Sequence, residues 1–247
     1  MRFVQQPNLP IGEIGLAAVS RTYPGLTAAL RNLGMLVLET GPEMSLGACS
    51  CHADMLCHHL GGRKIICAKG NQALKEKLSG YGFDVLESSS PIHGPYPDDV
   101  ALNGLRIGDR LFARRASLDA TIVRYCDAHK IRIIPVRQGY AKCSAAVVDE
   151  ESFITSDPGI AESGVRAGLQ VLQIEPGFIR LDGCRYGFIG GACGKIGKTT
   201  MAFTGKLDAH PDGIKIENFL AQRGIYGIAL IDAPLIDVGG ILPLMER

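Results

Sequence analysis

A chain of 247 residues with 46% apolar and 21% charged residues has the composition of a globular protein, with length for one large domain or two small ones. Its 26 basic and 25 acidic residues give a net charge of +1, which argues against nucleic acid or an anionic membrane as a partner. No apolar run approaches the ~18 residues of a membrane span, and eight cysteines without a secretion signal predict a cytoplasmic location.

Short apolar runs recur along the chain, each followed by turn residues and a helix-like segment. The predicted first strands cover 16–20, 64–68, 110–114, 153–156 and 201–204. In the first clear helix, 71–82, Leu74 and Leu78 lie four residues apart and Gly80 follows, as in an amphipathic helix with a glycine stop. The other predicted helices cover 26–34, 117–130, 160–168 and 214–224. The second strands cover 35–39, 83–87, 131–136, 169–174 and 228–231.

This strand–helix–strand–loop–strand unit recurs five times with a period of about 45 residues, a spacing typical of propellers and other radial arrays. We therefore predict an α/β fold, a five-bladed pseudo-fivefold propeller that forms a single domain over 1–247. The last unit ends in DVGGILPLMER without a return strand, so the N-terminal strand at about 14–20 is expected to complete it. An open α/β sheet is the alternative.

The stretch GGACGKIGKTT, 190–200, invites comparison with a phosphate-binding loop. That loop requires a glycine five positions before Gly197, where this chain has Ala192. A helix must also follow, so that its N-terminal amides hold the phosphates, but Met201 begins a strand-like run. The stretch is predicted to be a hairpin turn in the fourth unit.

Two further segments carry a family resemblance. Pro97-Asp98-Asp99-Val100, with the strand LRIGDRLF that follows, and QGYAKC at 138–143 resemble motifs of the guanidino-group-modifying enzymes. These enzymes share the pentein fold and include arginine deiminases, dimethylarginine hydrolases and amidinotransferases. The chain is similar to a bacterial branch of this superfamily that lacks the usual cysteine–histidine pair. The resemblance covers essentially the whole chain in repeat order.

The resemblance implies how a ligand would be held. In these enzymes a carboxylate of the second unit binds the guanidinium; Asp99 matches it, with Asp98 beside it, and Asp54 matches a first-unit acid. The predicted ligand-binding residues, near the ring axis, are Asp54, Asp98, Asp99, Gln138 and Asp237. Alternatively, each aspartate caps a turn.

The resemblance also implies that the usual catalytic pair is absent. Tyr140 stands where the family has a third-unit histidine, and the fifth-unit cysteine should fall near 239–244, where none occurs. The remaining candidates for catalysis are Cys143, Cys193, His52, Tyr140 and Lys142. In an extended segment, Tyr140 and Lys142 would share one face and Cys143 would face away from them, which favours a buried core thiol. His52 and Asp54 form a His-x-Asp pair like that of the family, but in the first unit.

Six cysteines and histidines lie between Cys49 and His59. Their spacing matches no structural zinc pattern, so no metal and no cofactor is predicted. Three functions stay open: binding of a small cationic or guanidino ligand at the ring centre, cleavage or transfer at a guanidino C–N bond by Cys143 or Cys193, and a non-enzymatic interaction role. The substrate and the oligomeric state are not predicted.

Overall fold

The computed structural model describes residues 1–42 and 46–247, in which strands and helices follow a repeating order. The helices are α1 (Pro24–Asn32), α2 (Ala53–Leu56), α3 (Gln72–Gly80), α4 (Ala120–Ala128), α5 (Pro158–Arg166) and α6 (Gly213–Ala221). The strands are β1 (Arg2–Phe3), β2 (Ile14–Ser20), β3 (Leu36–Thr40), β4 (Cys57–Gly61), β5 (Lys64–Cys67), β6 (Asp84–Glu87), β7 (Leu105–Ile107), β8 (Arg110–Ala113), β9 (Arg132–Pro135), β10 (Ala145–Asp149), β11 (Ser152–Thr155), β12 (Gln170–Gln173), β13 (Cys193–Lys195), β14 (Thr200–Phe203), β15 (Tyr226–Ala229) and β16 (Leu242–Glu246). No helix of the described residues is long and apolar enough to cross a membrane.

The strands of the described residues form five small sheets that share one plan. Four sheets have three strands each, in the orders β4-β5-β6, β7-β8-β9, β10-β11-β12 and β13-β14-β15. In each, the first two strands form an antiparallel hairpin and the third runs parallel to the second after a helical crossover. The sheets therefore repeat the predicted unit, and the α/β fold class is confirmed.

The fifth sheet joins the two ends of the chain. Strand β16 pairs antiparallel with β2, where Leu242 lies opposite Ala18, and β1 pairs with the other edge of β16. The buried carboxylate of Glu246 accepts hydrogen bonds from the backbone amides of Ile11 and Gly12 at 2.8 and 2.7 Å. The N-terminal strand thus completes the sheet that the C-terminal segment enters.

Local sequence explains where the crossover helices begin. The side chains of Asn71, Asp119 and Asp157 accept hydrogen bonds from the first backbone amides of α3, α4 and α5, which satisfies donors that the helix cannot pair internally. On the inner side of α3, Leu74 and Leu78 are buried, as their four-residue spacing predicts. Each of the five crossover helices packs on the sheet of its own unit. The connections before the first strands therefore lie away from these helices and meet one another.

The stretch GGACGKIGKTT contains a hairpin, as predicted. Strands β13 and β14 pair antiparallel, with Cys193 opposite Phe203, and Lys198 and Thr199 lie exposed in the turn between them. Lys195 points inward, and its ammonium donates to the carbonyls of Val148 and Lys198 at 2.9 and 2.8 Å. Burial lowers the pKa of Lys195 to about 8. This lysine therefore holds the hairpin against the neighbouring unit.

Candidate functional site

The connections that precede the first strands of the five sheets meet at one place. The amide of Asp54, on α2, donates to the carbonyl of Gly239. The amide of Gly191 donates to the carbonyl of Cys143, and the amides of Val238 and Gly240 donate to the carbonyl of Gly191. Backbone hydrogen bonds thus tie the first, third, fourth and fifth connections together, and we call this meeting place the ring centre.

Asn103, in the second connection, joins the ring centre through its side chain. Its amide nitrogen donates to the carbonyl of Asp54 and to the sulfur of Cys143, each at 3.1 Å. Its amide oxygen accepts from the backbone amides of Lys142 and Cys143. Asn103 was not among the residues predicted from the sequence. Its position just before β7, in one of the five connections, could have marked it as a residue of the ring centre.

The thiol of Cys143 faces the ring centre and not the opposite side. The expectation that it faces away from Tyr140 and Lys142 holds only for an extended segment, whereas residues 141–144 form a turn. Its Sγ donates to Oδ2 of Asp54 at 3.0 Å, and the side chain is 2% exposed. Burial and the nearby carboxylates of Asp54 and Asp237 raise its pKa well above the usual value, so the thiol is protonated in the free protein.

Asp237, from the fifth connection, is held firmly in the ring centre. Its carboxylate accepts from the backbone amides of Phe188 at 2.9 Å and Gly239 at 3.0 Å, and its Oδ1 lies 3.7 Å from Nδ1 of His52. A Cβ atom at Gly239, which has a φ of +76°, would overlap His52, so glycine permits this approach. Burial, together with the charge of Asp54, raises the pKa of Asp237.

Asp99 lies at the ring centre in a short 3-10 turn, Asp98–Val100. It is 6% exposed, and its Oδ2 accepts a hydrogen bond from the hydroxyl of Tyr140 at 2.5 Å. Burial and this carboxylate raise the pKa of Tyr140, so the phenol stays protonated and serves as a donor. Asp98, its predicted companion, is exposed.

Three buried polar atoms of the ring centre have no hydrogen-bond partner among the described residues. They are Oδ1 of Asp54, Oδ1 of Asp99 and Nδ1 of His52. Unpaired buried polar atoms are rare in folded proteins because each costs about 1–3 kcal/mol. Two acceptors and one imidazole nitrogen are thus available to a ligand with several donors.

The remaining predicted residues lie around this set. Gln138 supports Tyr140: its Oε1 accepts from the Tyr140 amide and its Nε2 donates to Asp157. The ammonium of Lys142 lies 3.4 Å from the carbonyl of Gly190. Cys193 donates to the carbonyl of Ile189 at 3.2 Å, as a core thiol does, and burial raises its pKa to about 12.

The segment from Cys49 to His59 divides between the ring centre and a strand. His58 and His59 lie in β4, where each ring bonds a backbone carbonyl, that of Leu102 or Gly62, at 3.0 Å. No three His, Cys, Asp or Glu side chains among the described residues are placed to hold a metal ion. Cys49, which the sequence analysis considered only as part of this cluster, lies close enough to the ring centre that burial and then Asp54 and Asp237 raise its pKa.

Comparison with known proteins places this arrangement in a family. Residues 18–242 match a family of unknown function, DUF6873. The chain belongs to this family. Comparison with curated protein sequences gives no match.

Solved structures similar to this DUF6873 chain are guanidino-group enzymes. An amidinotransferase of the saxitoxin pathway from Microseira wollei, SxtG, is 11% identical with a TM-score of 0.58 and 96% of both chains covered. Inosamine-phosphate amidinotransferase from Streptomyces griseus is 11% identical with a TM-score of 0.55, and 100% of this chain and 98% of that chain are covered. A mutant of dimethylarginine dimethylaminohydrolase from Pseudomonas aeruginosa, complexed with citrulline, is 10% identical with a TM-score of 0.56. The match covers 89% of this chain and 92% of that chain.

These likenesses show the fold. The chain has the five-unit pentein fold of the guanidino-group-modifying enzymes, and the resemblance inferred from the sequence is confirmed at the level of the fold.

Proposed function

We propose that the ring centre binds a small cation of the guanidino or amidine type. The observation that carries the proposal is that two buried carboxylates, those of Asp54 and Asp99, each keep one oxygen without a partner among the described residues. A planar guanidinium or amidinium carries several N–H donors and a positive charge, and such charge-assisted hydrogen bonds are strong. It would satisfy both oxygens and offset their charge in one step.

The ring of Tyr140 supports the same class of ligand. Its hydroxyl is fixed by Asp99, and its ring lies 6.2 Å from that of Phe188. A cation near an aromatic face gains attraction from the ring quadrupole. Carboxylates and aromatic rings together select a flat cation over a neutral ligand of the same shape.

A matched set of variants tests this binding. Isothermal titration with methylguanidine should give a measurable affinity, and Asp54→Asn and Asp99→Asn should each weaken it about 10–100-fold, since a hydrogen bond to a charged group contributes about 1.5–3 kcal/mol. Asp208→Asn, at an exposed position, serves as the control and should bind normally. If all four proteins bind equally or none binds, the cation site is wrong.

A second candidate function is cleavage or transfer at a C–N bond by the thiol of Cys143, favoured by its 3.0 Å contact with Asp54. The carboxylates keep this thiol protonated in the free protein, and a bound cation would offset their charge and release the thiolate. The thiolate would form a bond to the guanidinium carbon while the C–N bond breaks. His52, next to Asp237, would take the proton that the thiol releases and hand it to the departing amine. Water or an amine would then take the amidino group from sulfur.

The fivefold ring explains why His52 and Cys143 could act together although they lie in other units than the family's catalytic pair. The resemblance described above places the family's histidine and cysteine in the third and fifth units, two units apart. His52 lies in the first connection, before β4, and Cys143 lies in the third, before β10, so they are also two units apart. Because all five connections reach the ring centre, a pair displaced around the ring keeps its relative placement. This supports Cys143 over Cys193 as the reactive thiol.

A further inference from the structure

Four aromatic rings form a row beside the ring centre. The ring centroids of Tyr186 and Phe188 are 6.1 Å apart, those of Phe188 and Tyr140 are 6.2 Å apart, and those of Tyr140 and Tyr96 are 5.5 Å apart. Tyr96, at one end, is 45% exposed, while Tyr140 and Phe188 are half-buried. The row thus forms an aromatic wall between solvent and the buried acids.

Hydrogen bonds connect the aromatic wall to two carboxylates of the ring centre. Tyr140 donates to Asp99, and the backbone amide of Phe188 donates to Asp237. Tyr96 sits against Gly139, where a Cβ atom would come 2.6 Å from its ring, so glycine lets Tyr96 lie beside Tyr140. A ligand whose cation reaches Asp99 must therefore place its next atoms along these rings.

A positive charge at the Tyr96 end of the row restricts the chemistry of the ligand atoms that lie along the rings. The guanidinium carbon of Arg114 lies 5.5 Å from the centroid of Tyr96, and this arginine is fixed by a hydrogen bond to the hydroxyl of Ser117 at 3.0 Å. A cation is therefore already placed on the outermost ring, and a second positive charge on the ligand would be repelled. Flat, uncharged groups pack well against tilted aromatic rings.

We propose that the ligand is an aryl guanidine or aryl amidine, and that Tyr96, Tyr140 and Phe188 form the subsite for its aromatic group. This rests on the proposed function, because the acids must hold the cation for the wall to meet the aryl group. The wall then determines specificity, while the carboxylates supply the common anchor for the charge.

Two probes that differ only in the aryl group test the subsite. Dissociation constants for phenylguanidine and methylguanidine are measured by isothermal titration with the unmodified protein. Phenylguanidine should bind at least about tenfold more tightly, equivalent to about 1.4 kcal/mol, since aromatic packing and the extra buried area favour it. In Tyr96→Leu, which keeps apolar bulk over Gly139, this ratio should fall toward one. Tyr226→Ala removes a tyrosine that is 59% exposed on β15 and should leave the ratio unchanged.

The outcomes separate this inference from the proposed function. If both probes bind with equal affinity, or if Tyr96→Leu keeps the full ratio, the aryl subsite is wrong and the cation site stands. If neither probe binds, the cation site itself is wrong. A ratio of about tenfold that Tyr96→Leu abolishes and Tyr226→Ala retains supports the aryl subsite.

Discussion

Cys143 lies beside a carboxylate, whereas activated cysteines commonly lie beside a cation. Its Sγ contacts Asp54, and its pKa is raised by burial and by the charges of Asp54 and Asp237. The thiol is therefore unreactive until positive charge enters the ring centre. This makes the charge of an alkylating reagent, and not only its size, decisive.

We predict that chloroacetamidine alkylates Cys143 at least about tenfold faster than the neutral chloroacetamide, because a favourable charge interaction of about 1.4 kcal/mol suffices for that factor. The preference should shrink in Asp54→Asn. Intact-mass kinetics followed by peptide mapping measure both rates.

Cys184 is exposed and provides the internal control, since it should react with the two reagents at similar rates. Cys193→Ser should retain the fast label and Cys143→Ser should lose it. Preferential labelling of Cys193 would transfer the proposed role to that thiol.

At the scale of a single element, β4 carries two buried histidines whose protonation opposes folding. Burial lowers the pKa values of His58 and His59 from 6.5 to about 4. Each gains protons on unfolding between these two values, so the free energy of unfolding is highest above about pH 6.5 and falls as the pH drops toward 4.

We predict a loss of up to about 3 kcal/mol per histidine across that window. Urea unfolding at pH 7 and pH 4.5 measures it. His58→Asn and His59→Gln each keep an amide donor for the backbone carbonyl without a titrating group, so each should flatten the pH dependence. An unchanged slope in the double variant would show that other groups cause it.

The start of α5 supports both the helix and the aromatic wall. Asp157 accepts from the amide of Ile160 at 2.8 Å and from Nε2 of Gln138 at 3.2 Å. We predict that Asp157→Ala lowers the free energy of unfolding by about 0.5–2 kcal/mol, the usual value of an N-cap. Asp157→Asn, which keeps a capping oxygen, should lose less. Equal losses in the two variants, measured by urea unfolding, would argue against a capping role.

Helices and strands with regular or continuous apolar runs were predicted well, whereas β4, a buried strand that contains two histidines, was not. The predicted helix 71–82 contains α3, and the predicted strand 64–68 contains β5. In β4, four consecutive residues are buried, so the alternation that identifies a half-exposed strand is missing. Because His58 and His59 are polar, the segment was not predicted to be a strand. The hydrogen bonds that accommodate them depend on Leu102 and Gly62, and only the latter is local in sequence.

At the scale of the whole molecule, the ring centre depends on contacts that no local pattern encodes. His52 and Asp237 are far apart in the sequence and meet only because the fifth connection passes the first. The resemblance to guanidino enzymes brought Asp54, Asp99 and Asp237 together from repeat order alone. It could not give the direction of the Cys143 side chain, which depends on a turn and on Asn103.

Strand β16 closes the ring by pairing with β2. All five residues of β16 are buried, and removing its three apolar side chains Leu242, Leu244 and Met245, at about 2–5 kcal/mol each, would cancel most of a typical stability of 5–15 kcal/mol. Deletion of 242–247 should therefore abolish cooperative urea unfolding.

A circular permutant should still unfold cooperatively, because Arg2 already pairs with Glu246 and a short glycine linker can join the ends. New termini between Glu150 and Glu151, in the exposed turn after β10, interrupt no sheet pairing. If the permutant fails to unfold cooperatively while the deletion variant succeeds, the stability of the ring does not depend on the β16–β2 pairing.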